Sequence, residues 1–185
     1  MNGKTLEAAM PEAENRAAGL TVGRRLLLTA VLGLVLALLV PLYRRVSHVS
    51  ALRRTIADMR VWQEAIAAYK ADHGALPSNP RGEITFGKKI VRELRPYFAR
   101  IRTADWWGCH YGIWLGPGIH EYGLESSSAE DVLIVSTGRR GVREAWRFDP
   151  DDPAAGFFDL DTIEDFEKDL VVWNGRPVRW PKDPR

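Results

Sequence analysis

Cys109 and His110 set a thiol beside an imidazole, the residue types of a nucleophile and its base. Neighbours in an extended segment point to opposite faces, so the two cannot readily share a hydrogen bond. The pair therefore does not read as a catalytic dyad. His48, His73 and His120 are scattered, with none of the spacing that tetrahedral metal sites use. Glu121, Glu125, Glu130 and Asp131 offer carboxylates, but nothing fixes the separation that glycoside hydrolysis requires. No glycine-rich phosphate loop is present. Trp106, Trp107 and Trp114 read as core and turn packing, not as a ligand platform. No enzyme is expected from these residues, and the elements that carry them say more.

The chain has 185 residues, 45% hydrophobic and 27% charged, which is globular composition for one domain plus an anchor. A formal net charge of +2, with arginines spread along the chain, is too small to argue for nucleic acid, and no nucleic-acid partner is expected. The one cysteine forms no internal disulfide, so the fold rests on its core or on a metal.

Leu26–Tyr43 carries no charge. As a helix its roughly 18 residues cross about 27–30 Å of hydrocarbon. Arg24 and Arg25 close it on one side, Arg44 and Arg45 on the other. The expected division is a leader at 1–25, a transmembrane helix at 26–43 and a head at 44–185. The N-terminus is placed in the cytoplasm because only a short polar leader precedes the span. A cleaved secretory signal is the alternative, but the run is longer than a usual signal core and lacks a small-x-small site after it.

After Tyr43 the pattern turns amphipathic. Val49, Leu52, Ile56, Met59, Trp62, Ile66 and Tyr69 recur at spacings of three and four, one face of a helix. Gly74 supplies its C-terminal stop and Pro77 follows. Leu26 to Asp72 thus predicts one nearly continuous helix of roughly 70 Å, with Pro41 as the site of a kink. Residues 1–19 show no periodicity of their own. Lys88–Phe98 predicts a short helix with a doubtful last turn at Pro96. Tyr111–Leu115 and Val132–Ser136 read as strands, separated by turn signals at Gly116-Pro117-Gly118 and Ser126–Ser128. Leu170–Trp173 and Val178–Trp180 flank Asn174-Gly175, a hairpin signal. The fold class is α+β, a long N-terminal helix packed on a small antiparallel sheet.

Four segments resemble one family. Asp105-Trp106-Trp107-Gly108-Cys109-His110-Tyr111 is similar to the Asp-x-Trp-Gly-x-x-Tyr signature of the major, G-type pseudopilins of type II secretion. Tyr69-Lys70-Ala71-Asp72-His73-Gly74-Ala75-Leu76-Pro77 resembles that family's helix exit. Asp131–Gly138 resembles the strand leading to its Ser-x-Gly-x-Asp-Gly loop. Gly19-Leu20-Thr21-Val22-Gly23-Arg24 can be laid on the prepilin peptidase site, and Pro41 then falls at the twenty-second mature residue, where pilins carry a proline.

The resemblance implies a structural subunit of a type II secretion or type IV filament machine. It would be single-pass in a bacterial inner membrane, with a periplasmic head, and its partners would be other pseudopilin-like subunits and secretion-system membrane proteins. Gly19, Leu20 and Arg24 would concern processing, and Pro41 anchoring and assembly. Trp107, Gly108, Tyr111, Gly74 and Pro77 would shape the head.

Two departures matter. The fifth mature position, glutamate in the family, is Arg24, and Glu7, Glu12 and Glu14 lie in the leader. Two cations together in a low dielectric cost several kcal/mol. This favours an alternative, a membrane-anchored binding or enzymatic domain that keeps the scaffold without polymerising. Arg139 and Arg140 stand in the loop where the family binds calcium, and a guanidinium supplies no oxygen ligand. Asp149, Asp151, Asp152, Asp159 and Asp161 are the substitute calcium candidates, set against the simpler reading of a solvated acidic loop. No cofactor is otherwise expected.

Overall fold

A computed structural model describes residues 10–78, 81–83, 88–100, 102–126 and 128–183, with side-chain surroundings from residue 24 onward apart from Arg81 and Glu83. Residues 1–9 of the leader lie outside the described residues. So do the surroundings of Gly19 and Leu20, although both fall within the first helix. The chain divides into two compact units at Arg45/Val46.

Helix α1 runs Met10–His73 with Pro41 inside it. It begins well before the apolar run, in an alanine-rich stretch where no periodicity predicted structure. Propagating a nucleated helix costs little. From Leu26 to Val46 its large apolar side chains are exposed to solvent. That stretch is long and apolar enough to cross a membrane. Downstream, Leu52, Ile56, Met59, Trp62 and Ile66 are buried, with Val49 and Tyr69 packed at the ends of the same stripe. Gly74, at φ +70°, donates its N–H to the Lys70 carbonyl at 2.8 Å and closes the last turn.

Helix α2, Lys89–Leu94, buries Ile90, Val91 and Leu94. A 3₁₀ turn over Arg95–Tyr97 replaces its expected last turn, because Pro96 cannot donate to an α-helical carbonyl.

Strands β1 (Arg81–Glu83), β2 (Gly112–Leu115), β5 (Val132–Ser136), β6 (Phe157–Phe158), β7 (Leu170–Trp173) and β8 (Arg176–Pro181) form one sheet in the order β1-β2-β5-β7-β8-β6. Strands β3 (His120–Glu121) and β4 (Leu124–Glu125) form a separate hairpin. The α+β class holds for this unit, but the expected all-antiparallel sheet needs correction. β6 pairs parallel with β8, Phe157 opposite Trp180. The acidic loop and its 3₁₀ turn, Pro153–Gly156, bring the chain back in the direction of β8 before it is laid down.

Both faces of the sheet are covered, which is why its central strands read as apolar runs without alternation. Ile113, Leu115, Ile134, Leu170 and Val172 pack with the α1 stripe and α2. Leu133, Val135, Val171 and Val178 pack with Ile119, Tyr122 and Leu124 around the β3–β4 hairpin. Both clusters are drawn from residues 49–180, so the second unit closes its own core.

Candidate functional site

The residues singled out between Asp105 and Tyr111 form a tight turn laid against α1. Asp105 is 1% exposed and organises it. Its Oδ1 accepts the backbone N–H groups of Trp107 and Cys109, both at 2.9 Å, and its Oδ2 accepts the Ser136 hydroxyl at 2.7 Å. The Asp105 N–H in turn donates to the Cys109 carbonyl at 2.8 Å. Gly108 sits at φ +93°, a conformation that residues with a Cβ rarely adopt. Burial pushes the Asp105 carboxyl above its ordinary value, and the hydrogen bonds from Ser136 and the turn amides offset only part of that.

The turn grips the helix through polar groups. The Trp106 N–H donates to Thr55 Oγ1 at 3.2 Å, and its indole N–H donates to Asp58 Oδ2 at 3.0 Å. Arg54 and Arg102 stack on the Trp106 ring, their guanidinium carbons 4.5 and 4.0 Å from its centroid. The Tyr111 hydroxyl is 3.5 Å from Asp58, and burial raises both groups' pKa values. The Trp107 indole N–H donates to His48 at 3.4 Å.

Trp107 is only half-buried, so it does not fill the core beside the helix. That place belongs to Trp62, 1% exposed, whose indole N–H donates to the Arg102 carbonyl at 3.0 Å and whose ring meets Phe98 edge-on. Tyr111 lies just before β2 and is fully buried. Pro77 is buried beyond the exit of α1, while Gly74 is exposed. Arg24 is exposed, and so is Pro41.

Sequence reasoning passed over Thr55, Asp58 and Ser136. Thr55 carried a signal, a hydroxyl on the apolar stripe between Leu52 and Met59. Ser136 carried none, since its partner is 31 residues away.

Cys109 and His110 make no joint site. Cys109 Sγ lies against Gly141, where a Cβ would stand 2.8 Å from the sulfur. The His110 ring faces the Thr103 carbonyl at 3.3 Å. The five aspartates do not converge either. Asp149 accepts the Asp151 N–H at 2.9 Å, Asp159 pairs with Lys182 at 2.8 Å, and the Asp161 N–H turns to Asp165. Among the described residues, no group of three or more histidines, cysteines or carboxylates stands together as a metal site. Arg139 is tied to Glu167, and its N–H reaches the Phe166 carbonyl at 2.7 Å.

Two concavities stand out among the described residues. One, of about 550 Å³, lies at the β3–β4 hairpin. Two ion pairs stand at it, Arg143 with Glu121 and Arg179 with Glu144, and beneath them the Tyr122 hydroxyl donates to buried Asp169. The other, of about 450 Å³, runs between α1 and the β7–β8 turn, lined by Ile66, Leu76, Val132 and Asn174, with Lys70 and Glu130 paired at 2.9 Å beside it. Ser128 and Asp131 also line the second, where the Ser128 backbone N–H donates to the Asp131 carboxylate at 3.2 Å. No family model, no characterised protein and no solved structure matches this chain.

Proposed function

We propose that this chain is a pseudopilin-like structural subunit of a type II secretion or related type IV filament machine. It is held in the bacterial inner membrane by the apolar part of α1, with its N-terminus cytoplasmic and its head periplasmic. The carrying observation is the change of character along one helix. From Leu26 to Val46 every large apolar side chain is exposed, and from Leu52 to Ile66 one face is buried in a sheet-backed core. A soluble protein rarely exposes so long an apolar surface without a lipid or protein partner. The Asp105–Tyr111 turn supports the same reading, because its polar groups fasten the head to α1 and leave no reactive pair.

Arg24 shapes the assembly. A chain cut after Gly19 would start at Leu20, with its ammonium four residues from Arg24 and five from Arg25. Those charges are stable at the headgroup level and costly inside an apolar helix bundle. The subunit therefore enters filaments poorly, or at an end where a partner brings a carboxylate. The test compares wild type with Gly19→Ala and Arg24→Glu by mature mass and by recovery in sheared filament fractions. Gly19→Ala should keep the leader, and Arg24→Glu should raise filament recovery. Efficient polymerisation of the wild type without an acidic partner would refute the account of Arg24. An uncleaved chain that is never recovered in filaments would favour the non-polymerising anchored domain.

A further inference from the structure

The turn between β7 and β8 carries a pair of residues that can react with each other. In Asn174-Gly175 the Gly175 backbone nitrogen has no side chain beside it and can attack the Asn174 side-chain carbonyl carbon. The new C–N bond closes a cyclic imide. The bond to Nδ2 breaks, and ammonia leaves with the proton that the Gly175 nitrogen gives up. Water then opens the ring at either carbonyl, giving aspartate or isoaspartate. The step needs no oxidant or reductant. Both residues are exposed, and no atom beyond the chain neighbours lies within 4 Å of the place a Gly175 Cβ would take. Crowding at Gly175 therefore does not protect the pair.

Hydrogen bonds hold the Asn174 side chain instead. Its Oδ1 accepts the Val132 N–H at 2.7 Å, and its Nδ2 donates to Asp131 Oδ1 at 2.7 Å. The Asn174 backbone N–H donates to the Val132 carbonyl at 2.8 Å. Attack needs a side chain free to rotate until its carbonyl carbon meets the Gly175 nitrogen. Here both of its polar atoms are tied to Asp131 and to the first residue of β5. Asp131 is fixed in turn, its Oδ2 accepting the Ser126 hydroxyl at 2.6 Å and the Ser128 N–H at 3.2 Å. Burial raises the pKa of the Asp131 carboxyl, but hydrogen bonds from Ser126, Asn174 and the Ser128 amide together hold it below its ordinary value. It is thus a charged acceptor at neutral pH, and such bonds are the stronger kind.

We propose that Asn174 is a deamidation site held closed by Asp131, and that losing this clamp converts it to aspartate or isoaspartate and opens the β7–β8 turn. Aspartate at 174 would set a second carboxylate against Asp131 Oδ1 where a donor stood, and like charges in contact repel. Isoaspartate would add a backbone carbon to a turn whose geometry depends on both central residues. Asp131, Asn174 and Gly175 all line the groove beside α1, so the change would alter its mouth. The inference concerns the head alone and stands apart from the anchoring and assembly reading above.

The test incubates the full chain in detergent at neutral pH, folded or in urea. Deamidation of Asn174 is followed by peptide mass and by separating the aspartate and isoaspartate products. Two hydrogen bonds, one to a charged acceptor, must break before attack, so the folded chain should react at least about 30-fold more slowly than the unfolded one. Asp131→Ala removes the charged acceptor and should raise the folded rate about tenfold. Glu130→Ala breaks only the exposed pair with Lys70 and should leave the rate unchanged. A folded Asp131→Ala chain that reacts at the wild-type rate, or wild type that reacts as fast folded as in urea, would overturn the proposal. If Asp131→Ala does not fold, Asn174→Asp decides, set against the double variant Asp131→Asn with Asn174→Asp. The double variant exchanges carboxylate and amide and puts them back in contact. It should recover the melting temperature that Asn174→Asp loses, and no recovery would overturn the role given to Asp131.

Discussion

Replacing Asp105 offers the sharpest test of how the head is fastened. Asp105→Ala removes the acceptor of two turn amides and of the Ser136 hydroxyl at once. Ser136 is fully buried and keeps only its contact with the Gly138 N–H, at 3.3 Å. Each unsatisfied group costs about 1–3 kcal/mol, and the two amides are only part-buried, so about 3–5 kcal/mol in total is expected. That is a large share of the 5–15 kcal/mol typical of a domain. Asp105→Asn keeps an oxygen for both amides and places an amide group beside Ser136, which should hold the loss near 1 kcal/mol.

The two substitutions also differ from wild type in pH dependence. Burial raises the folded-state pKa of Asp105, so the folded head binds its proton more tightly than the unfolded chain does. The stability this contributes is complete below the ordinary carboxylate value and is lost as pH rises through the raised one. Asparagine should flatten that part of the profile. Urea unfolding of residues 46–185 across the mildly acidic range reads both effects. An Asp105→Ala head as stable as wild type, or an asparagine variant as damaged as the alanine one, would refute the description of Asp105 as the organiser of the turn.

Trp62→Ala should cost about 3–5 kcal/mol by urea unfolding, since its ring is fully buried, and half-buried Trp107→Ala about 1–3. A reversed order would place the core on the wrong tryptophan. The melting temperature of the head should be the same in millimolar calcium as with a chelator, because a ligand bound only to the folded state would raise stability by RT ln(1 + [L]/Kd). A clear upward shift in calcium would make the segment from Asp149 to Asp161 a real site.

The parts of this fold that could be read from sequence are those set by a local period. Leu52, Ile56, Met59, Trp62 and Ile66 declare a helix face at 3.6-residue spacing, and all five are buried. Asn174 and Gly175 declare a turn that needs two positive φ values, and they have φ 49° and 78°. What stayed hidden is set by distant partners. β1, β3, β4 and β6 have two or three residues each, too few for any alternation. The parallel pairing of β6 depends on where the chain returns after Asp149–Pro153, not on Phe157 or Phe158 themselves. At the candidate site, Gly108 and the Trp-Gly pair were visible as a turn. The grip of that turn on Thr55 and Asp58 was not, because it joins segments about 50 residues apart.

The two halves of the main core are also far apart in time. The α1 stripe ends near Ile66, while Leu170 and Val172, which pack in the same cluster, come about 100 residues later. At a synthesis rate of 5–20 residues per second, that is a wait of roughly 5–20 s. Until β2 and β5 are made the stripe has no sheet to lie on, and under the anchoring proposed above the apolar run holds it beside a bilayer. An amphipathic helix with arginines on its polar face is suited to float at such a surface. Under that proposal the nascent stripe has a place to wait that is neither open water nor a neighbouring chain. The β7–β8 hairpin, among the last segments made, completes the sheet on which the stripe packs.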